Sequence, residues 1–361
     1  MIKIHPCIFI MESALHFRYC HPGNQVWYKI MLFNDLCYEW LEWKKPFVKS
    51  KTYETYYGTF VNQIEPFFKK VRCSAVNEDF LDKYSVAVQT STLNRFNHRP
   101  SKNVASKAFQ VIKSIISYGQ RYHKLRYFEY KFQYVKNESV REIKPLAMSR
   151  PDQEKIISYF FEQTEINDPR KLLVILPVMV SLTSGLRIGE VCGLRWEYLD
   201  FTQCSIKIIC TAGLLYDHEN KTEKLLVTSP KTYKSQRTVF IPEILMNHLK
   251  MFKTEHKVEG YIFQRFKDFE DGKNFENPMR QDMLRRRFNT LMKHLEITGI
   301  HFYTLRHTFA TQAIEEGINP KTVSELLGHA SVSITLDRYV HPSEEEKRKC
   351  MNIYSSLVKN K

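Results

Sequence analysis

Tyr303-Thr304-Leu305-Arg306-His307-Thr308-Phe309-Ala310-Thr311 reads as helix, and the helical period sets Arg306 in line with Ala310 and Ala313. The base of a cation therefore lies on a small-residue face that packs closely, and a guanidinium turned inward calls for an anion. His307 is one residue on, roughly 100° around the helix, where it reads either as a satisfied core histidine or as part of a polar site. Downstream, Val323-Ser324-Glu325-Leu326-Leu327-Gly328-His329 reads as a helix closed by Gly328, which leaves His329 just past the end with its ring free to turn. Ser331 can cap a further short helix on which Val332, Leu336 and Tyr339 share a face, so that Tyr339 taken alone is a core aromatic. Upstream, Thr183-Ser184-Gly185-Leu186-Arg187-Ile188-Gly189-Glu190 reads as a helix start with Arg187 on the flank of Val191 and Leu194. Its anion is either Glu190, one turn on, or a phosphate, which the amides of a helix N-terminus also favour.

Around these segments the chain divides in two. From Phe33 onward Leu36, Trp40 and Trp43, then Tyr53, Tyr57, Phe60, Val61, Ile64 and Phe67, recur at helical spacing between Lys-rich flanks, and helices are expected near Glu78 to Val88 and Asn103 to Lys124. Residues 1–30 lack helical periodicity and form an N-terminal extension of unclear structure, with Met11 and Met31 as further possible starts; 31–140 reads as a basic all-helical domain. A linker falls in the charged stretch between Tyr130 and Pro151, which ends in Lys144-Pro145 and Arg150-Pro151, and a second domain, 145–361, has its helix start at Ser149 with Gln153 and Glu154 following. An apolar helix through Leu172, Leu173, Leu176, Met179 and Val180 comes next. Short β-branched stretches at Cys204 to Cys210, Lys224 to Thr228 and Arg237 to Ile241 suggest a small antiparallel sheet, and helix resumes after Pro242. The fold class is mainly α with a small antiparallel β-sheet: an all-helical N-terminal domain and a mixed α+β C-terminal one.

Composition limits the function classes. The 361 residues carry 54 Lys+Arg against 39 Asp+Glu, a net +15, with 43% hydrophobic residues, so a folded chain with a polyanionic partner is expected. No apolar run reaches the roughly 18 residues a membrane span needs, and Ile8 to Met11 is too short for a signal-peptide core, which points to a cytoplasmic protein. The eight cysteines are scattered without a C-x-x-C pair, so neither zinc nor a disulfide framework is expected, and Cys192 and Cys210 read as small buried hydrophobes. No Gly-rich phosphate loop appears, so no ATP use is implied.

Taken as a set, Arg187, a lysine in Ser229-Pro230-Lys231-Thr232-Tyr233-Lys234-Ser235-Gln236-Arg237, Arg306, His329 and Tyr339 resemble, in order and local context, the tyrosine recombinase (phage integrase) family. The blocks Leu305 to Thr311, Leu326 to Ser331 and Thr335-Leu336-Asp337-Arg338-Tyr339 are similar to its three C-terminal signatures, and Thr183 to Glu190 to its first-arginine block. The similarity runs from about Lys144 to Pro342, and 31–140 looks like the family's core-binding domain. The resemblance implies cleavage and rejoining of double-stranded DNA through a covalent 3′-phosphotyrosine, without metal, ATP or other cofactor, by a tetramer on DNA, nucleoid-associated when bound. Arg187 and Arg306 would hold the phosphate, Tyr339 would be the nucleophile, and His329 would donate to a non-bridging oxygen. Lys231, with Lys234 as competitor, would protonate the leaving 5′ oxygen from a hairpin tip.

One position departs from the family. A histidine is usual three residues before the second arginine, and Tyr303 stands there; His301 is offset by two residues and on a helix points about 200° away. The general base is thus left open, while His307 keeps the family pattern and would buttress the site. The tail after His341-Pro342 runs acid first and base last along an apolar stripe, a helix for its own domain or for a neighbouring protomer. Integration or excision of a mobile element is the expected role. The alternatives are a chromosome-resolution recombinase, a recombinase-derived DNA-binding protein with lost chemistry, and a relaxing enzyme with similar nucleophile chemistry.

Overall fold

The computed structural model describes residues 30–90, 101–135, 147–217, 220–228, 236–265 and 277–340, with a few isolated positions besides. Residues 1–29, the loop with Lys231 and Lys234, and the tail after Val340 lie outside the described residues, apart from single positions such as Glu344. The chain divides into two compact units, one taking in residues 30–135 and the other most of the chain beyond residue 147.

The first unit is helical, as its periodicity foretells. Helices α1 (Phe33–Lys44), α2 (Ser50–Thr59), α3 (Glu65–Phe68), α4 (Glu78–Thr90) and α5 (Lys102–Arg121) enclose Phe33, Leu36, Trp40, Phe60, Phe68, Tyr84 and Ile112. A π-turn at Phe60–Ile64 links α2 to α3, where Pro66 lacks the N–H that an unbroken helix needs. Helix α5 buries Ala105, Phe109, Ile112, Ile116 and Tyr118 as its stripe requires, but it ends at Arg121; Lys124, just beyond, is paired with Glu39. Phe128, Tyr130 and Phe132 pack on this core from an irregular segment.

The second unit is built around an apolar helix. Ser149 caps α6 (Arg150–Ile166), its hydroxyl accepting from Asp152 N–H at 3.2 Å. Helix α7 (Pro169–Ser184) is apolar on nearly every side, and Leu172, Leu173, Leu176, Met179 and Val180 are all buried in the main core. It stops at Gly185, whose φ of +66° an L-residue resists. The short α8 (Ile188–Cys192) follows. Cys192 inside it is fully buried, and burial pushes its thiol pKa up.

The strands correct the sequence reading of one sheet. Strand β1 (Leu199–Asp200) pairs antiparallel with β2 (Ser205–Ile208), and β2 with β5 (Arg237–Phe240), Ile206 opposite Val239. The third expected stretch, β4 (Thr222–Thr228), pairs instead with β3 (Thr211–Asp217), a strand whose inward alternation is too weak to announce it. Among the described residues β4 and β5 are not neighbours, and the residues between them, Lys231 included, lie outside the described residues. Helices α9 (Glu243–Glu255), α10 (Gln281–His294), α11 (Phe302–Glu315), α12 (Pro320–Leu327) and α13 (Ser333–Tyr339) complete the unit. Among the described residues no helix is long and apolar enough to cross a membrane.

Candidate functional site

The site forms where α12 ends. Helix α12 leaves its last carbonyls without intrahelical partners, and three consecutive ones each accept from a different arginine. Arg237 Nε donates to the Leu326 carbonyl at 2.5 Å, Arg306 Nη2 to Leu327 at 2.8 Å, and Arg187 Nη2 to Gly328 at 3.2 Å. The partial negative charge of a helix C-terminus suits three cations. Gly328 permits the crowding: it has φ +63°, and a Cβ there would lie 2.9 Å from Arg237 Nη1.

Arg187 is not where a helical reading puts it. Gly185 ends α7 first, so Arg187 is the extended N-cap of α8 (φ −71°, ψ 148°), and helical spacing toward Val191 and Leu194 does not apply. Of its two candidate anions, Glu190 is present. The Glu190 carboxylate accepts Arg187 N–H and Nη1, both at 2.9 Å, and also Arg237 Nη1 at 3.1 Å and Nη2 at 2.9 Å. Burial pushes the Glu190 pKa up, but the hydrogen bonds and charge of Arg237, with the charge of Arg187, outweigh it and hold the carboxyl below its usual range.

Arg306 faces inward, as its place beside Ala310 requires. It is 1% exposed, and Nη1 donates to the Gly185 carbonyl at 2.9 Å. Its Nε is buried without a hydrogen-bond partner, and among the described residues no carboxylate lies within ion-pair distance of it. Burial, then the charge of Arg187, pushes its pKa down to about 10, so it stays charged at neutral pH. A buried cation satisfied only by carbonyls is expensive unless an anion joins it.

His329 follows Gly328 but its ring is held: Nδ1 lies 2.8 Å from the hydroxyl of Thr335, a fully buried residue on α13. Burial, then Arg306, Arg187, Arg338 and Arg237, push the His329 pKa down to about 4, so the ring is neutral at pH 7. Ser331 accepts from Ser333 N–H at 3.2 Å, although Val332 is the residue that precedes α13.

Tyr339 is buried against Ala310, Val323 and Leu327, while Leu336, expected on the same face, is 43% exposed. The Tyr339 hydroxyl lies 2.9 Å from His307 Nδ1. Burial, then Tyr303, push its pKa up more than Arg306, Arg338 and Arg187 pull it down, so the positive field does not by itself activate the phenol. Tyr303 is half exposed; its hydroxyl accepts from Arg338 Nη1 at 3.2 Å, and its ring meets His307 edge-on at 4.6 Å. His301 is the extended N-cap of α11, and among the described residues no hydrogen bond joins its ring to Arg306, His329 or Tyr339.

Arg187 and Arg306 thus act electrostatically on both His329 and Tyr339, and Tyr303 on Arg306 and Tyr339, so the five residues share one neighbourhood. Lys231 falls outside the described residues. Sequence reasoning missed Arg237 and Thr335. Arg237 shares the buried face of β5 with Val239, a cation where alternation calls for an apolar residue, and that signal was available.

Comparison with known proteins gives the family. Residues 150–346, more than half of the chain, match the phage integrase family. The chain belongs to that family, the tyrosine recombinases. Residues 32–74 of this integrase-family chain match the phage integrase N-terminal SAM-like domain. A tyrosine recombinase XerC-like protein of Caldanaerobacter subterraneus subsp. tengcongensis is 30% identical over 190 residues, 50% of this chain and 48% of its own length. The chain therefore spans about half of that relative. Tyrosine recombinase XerC of Staphylococcus saprophyticus is 24% identical over 306 residues, 80% of this chain and 93% of its own. The integrase of Staphylococcus phage L54a is 22% identical over 91% of this chain and 94% of its own. The solved structure of the Tn1549 transposon integrase with a circular intermediate DNA shares the fold at TM-score 0.68 and 17% identity, over 90% of this chain and 99% of that one. The XerH recombinase bound to palindromic difH substrate does so at 0.62 and 14%, over 90% and 98%.

Proposed function

We propose that this integrase-family protein is a site-specific recombinase that cleaves and rejoins duplex DNA through a 3′-phosphotyrosine at Tyr339, in the service of a mobile element. The observation that carries the reading is Arg306: a buried guanidinium without a carboxylate partner among the described residues, beside a second guanidinium, a neutral histidine and a tyrosine. A phosphodiester gains charge on its non-bridging oxygens in the transition state, and Arg187 and Arg306 answer that charge without calling on metal or nucleotide. For His329 to donate to such an oxygen through Nε2, Nδ1 must accept from Thr335, and the 2.8 Å separation suits that tautomer. Lys231 would protonate the departing 5′ oxygen. The first unit, the domain of 31–140, would grip flanking duplex by its basic surface, the protein acting as a tetramer. The relative named as the integrase of a phage favours element integration, with chromosome resolution as the second reading, and the net +15 suits either.

The test is a pool of nicked suicide duplexes tiling the DNA that flanks the protein's own gene. Wild type is expected to be trapped covalently on one of them, and Tyr339→Phe to bind that duplex yet form no adduct. An unchanged adduct in Tyr339→Phe would overturn the assignment.

A further inference from the structure

We propose that His307 is the general base of the reaction, taking the phenolic proton of Tyr339 in place of the histidine that Tyr303 replaces. This rests on the recombinase assignment of Tyr339. The geometry is direct: His307 Nδ1 stands 2.9 Å from the Tyr339 hydroxyl, and in the tautomer with the ring proton on Nε2 the nucleophile's own proton is donated to an sp² nitrogen. His307 is 3% exposed, so water does not compete for that proton. Tyr303 is unsuited to the task, since its phenol is a poor base and its oxygen already accepts from Arg338. It serves instead as a wedge, its ring set at 88° against the His307 imidazole.

In the forward step the Tyr339 Oη–phosphorus bond forms and the phosphorus–O5′ bond breaks. The phenolic proton passes to Nδ1 of the tautomer that carries its proton on Nε2, and the 5′ oxygen leaves with a proton from the acid, assigned to Lys231. Rejoining reverses each transfer: the 5′-hydroxyl attacks phosphorus, and imidazolium returns its proton to Tyr339. The groups facing His307 are Arg306 and Tyr303 on its own helix and Arg338 and Tyr339 on α13. Burial, then Arg338 and Arg306, push its pKa down to about 4, so the imidazole is free to accept at neutral pH. A bound diester opposes the two arginines and raises that basicity, and the phenol becomes strongly acidic as its oxygen bonds to phosphorus, so transfer turns favourable within the step.

The experiment measures adduct formation on the nicked duplex that wild type traps. His307→Ala is expected to slow it about 10²-fold or more, with the residual rate rising about tenfold per pH unit below the phenol pKa as hydroxide replaces the base. His307→Asn keeps an acceptor near the Nδ1 position but takes up no proton, and it is expected to be as slow and as steep in pH. Melting temperature and duplex binding confirm that both variants fold. Wild-type rates in His307→Asn would reduce His307 to a positioning residue and overturn the proposal. So would an adduct that vanishes in Tyr339→Phe but forms in His307→Ala at the wild-type rate and pH profile, an outcome that leaves the recombinase reading standing. A wild-type protein that traps no duplex overturns both.

Discussion

Glu190→Gln removes the one negative charge shared by Arg187 and Arg237. The Arg237 side of the pair is closed to solvent, with side chains 7% and 8% exposed, whereas Arg187 is 39% exposed. Loss of the partner from a buried pair costs about 3–5 kcal/mol, while the exposed Arg187 contact adds under about 1 kcal/mol. Glutamine retains one acceptor oxygen, which places the expected loss near 3 kcal/mol, or about 6–12 °C in the melting temperature of a unit this size. The pH dependence has a definite sign. Because the folded pKa is depressed, the carboxylate contributes its stability above its unfolded pKa of about 4.3 and loses it as pH falls through the lower folded value. Calorimetry of wild type and variant is therefore expected to show the full gap at pH 7 and a shrinking one in acid. The double variant Glu190→Gln/Arg237→Gln should cost less than the sum of the singles by about 0.5–3 kcal/mol. A gap below about 1 °C at pH 7, or strict additivity in the cycle, would refute the shared-carboxylate account.

Two further substitutions probe the same neighbourhood. Gly328→Ala places a side chain at φ +63° and a methyl 2.9 Å from Arg237 Nη1, so a loss of about 1–2 kcal/mol is expected in denaturant unfolding. Adduct formation is expected to fall with it, because the Arg187 and Arg237 anchors shift together. Thr335→Val removes the partner of His329 Nδ1 and frees the ring to change tautomer. Stability is expected to drop by about 1 kcal/mol, and the cleavage rate by less than the about 10²-fold that deleting a direct donor costs. An unaltered rate in single-turnover assays would show that Thr335 does not hold the ring.

Much of the site is local in sequence and so can be read there. Arg306 is inward because Ala310 shares its face, and Gly328 ends a helix because only glycine takes that φ easily. Arg187 is misread as helical because the positive φ of Gly185 resets the chain just before it, a signal carried by one residue. What the sequence hides is backbone. The anchors of three arginines are the carbonyls of Leu326, Leu327 and Gly328, which every residue possesses and no side chain announces. The same holds for sheet partners: β4 has the composition of a strand, yet its partner β3, only four residues before it, alternates too weakly to be read as one. Tyr303 is legible as a departure from the family, whereas the hydrogen bond from Tyr339 to His307 appears only when α13 folds back on α11.

On the proposed function, the turn at the end of α12 also sets when the protein becomes able to break DNA. Its three carbonyls hold arginines that lie 141, 89 and 21 residues earlier in the chain. Synthesis runs from the N-terminus, so Arg187, Arg237 and Arg306 all leave the ribosome before the segment that organises them, and Tyr339 emerges later still. A chain cut short before Pro320 carries the cations but neither their anchor nor the proposed nucleophile, Tyr339. Stalled or prematurely terminated synthesis therefore releases products in which the three arginines have no common anchor, and the proposed strand-breaking capacity arrives only once α12 and α13 have been made.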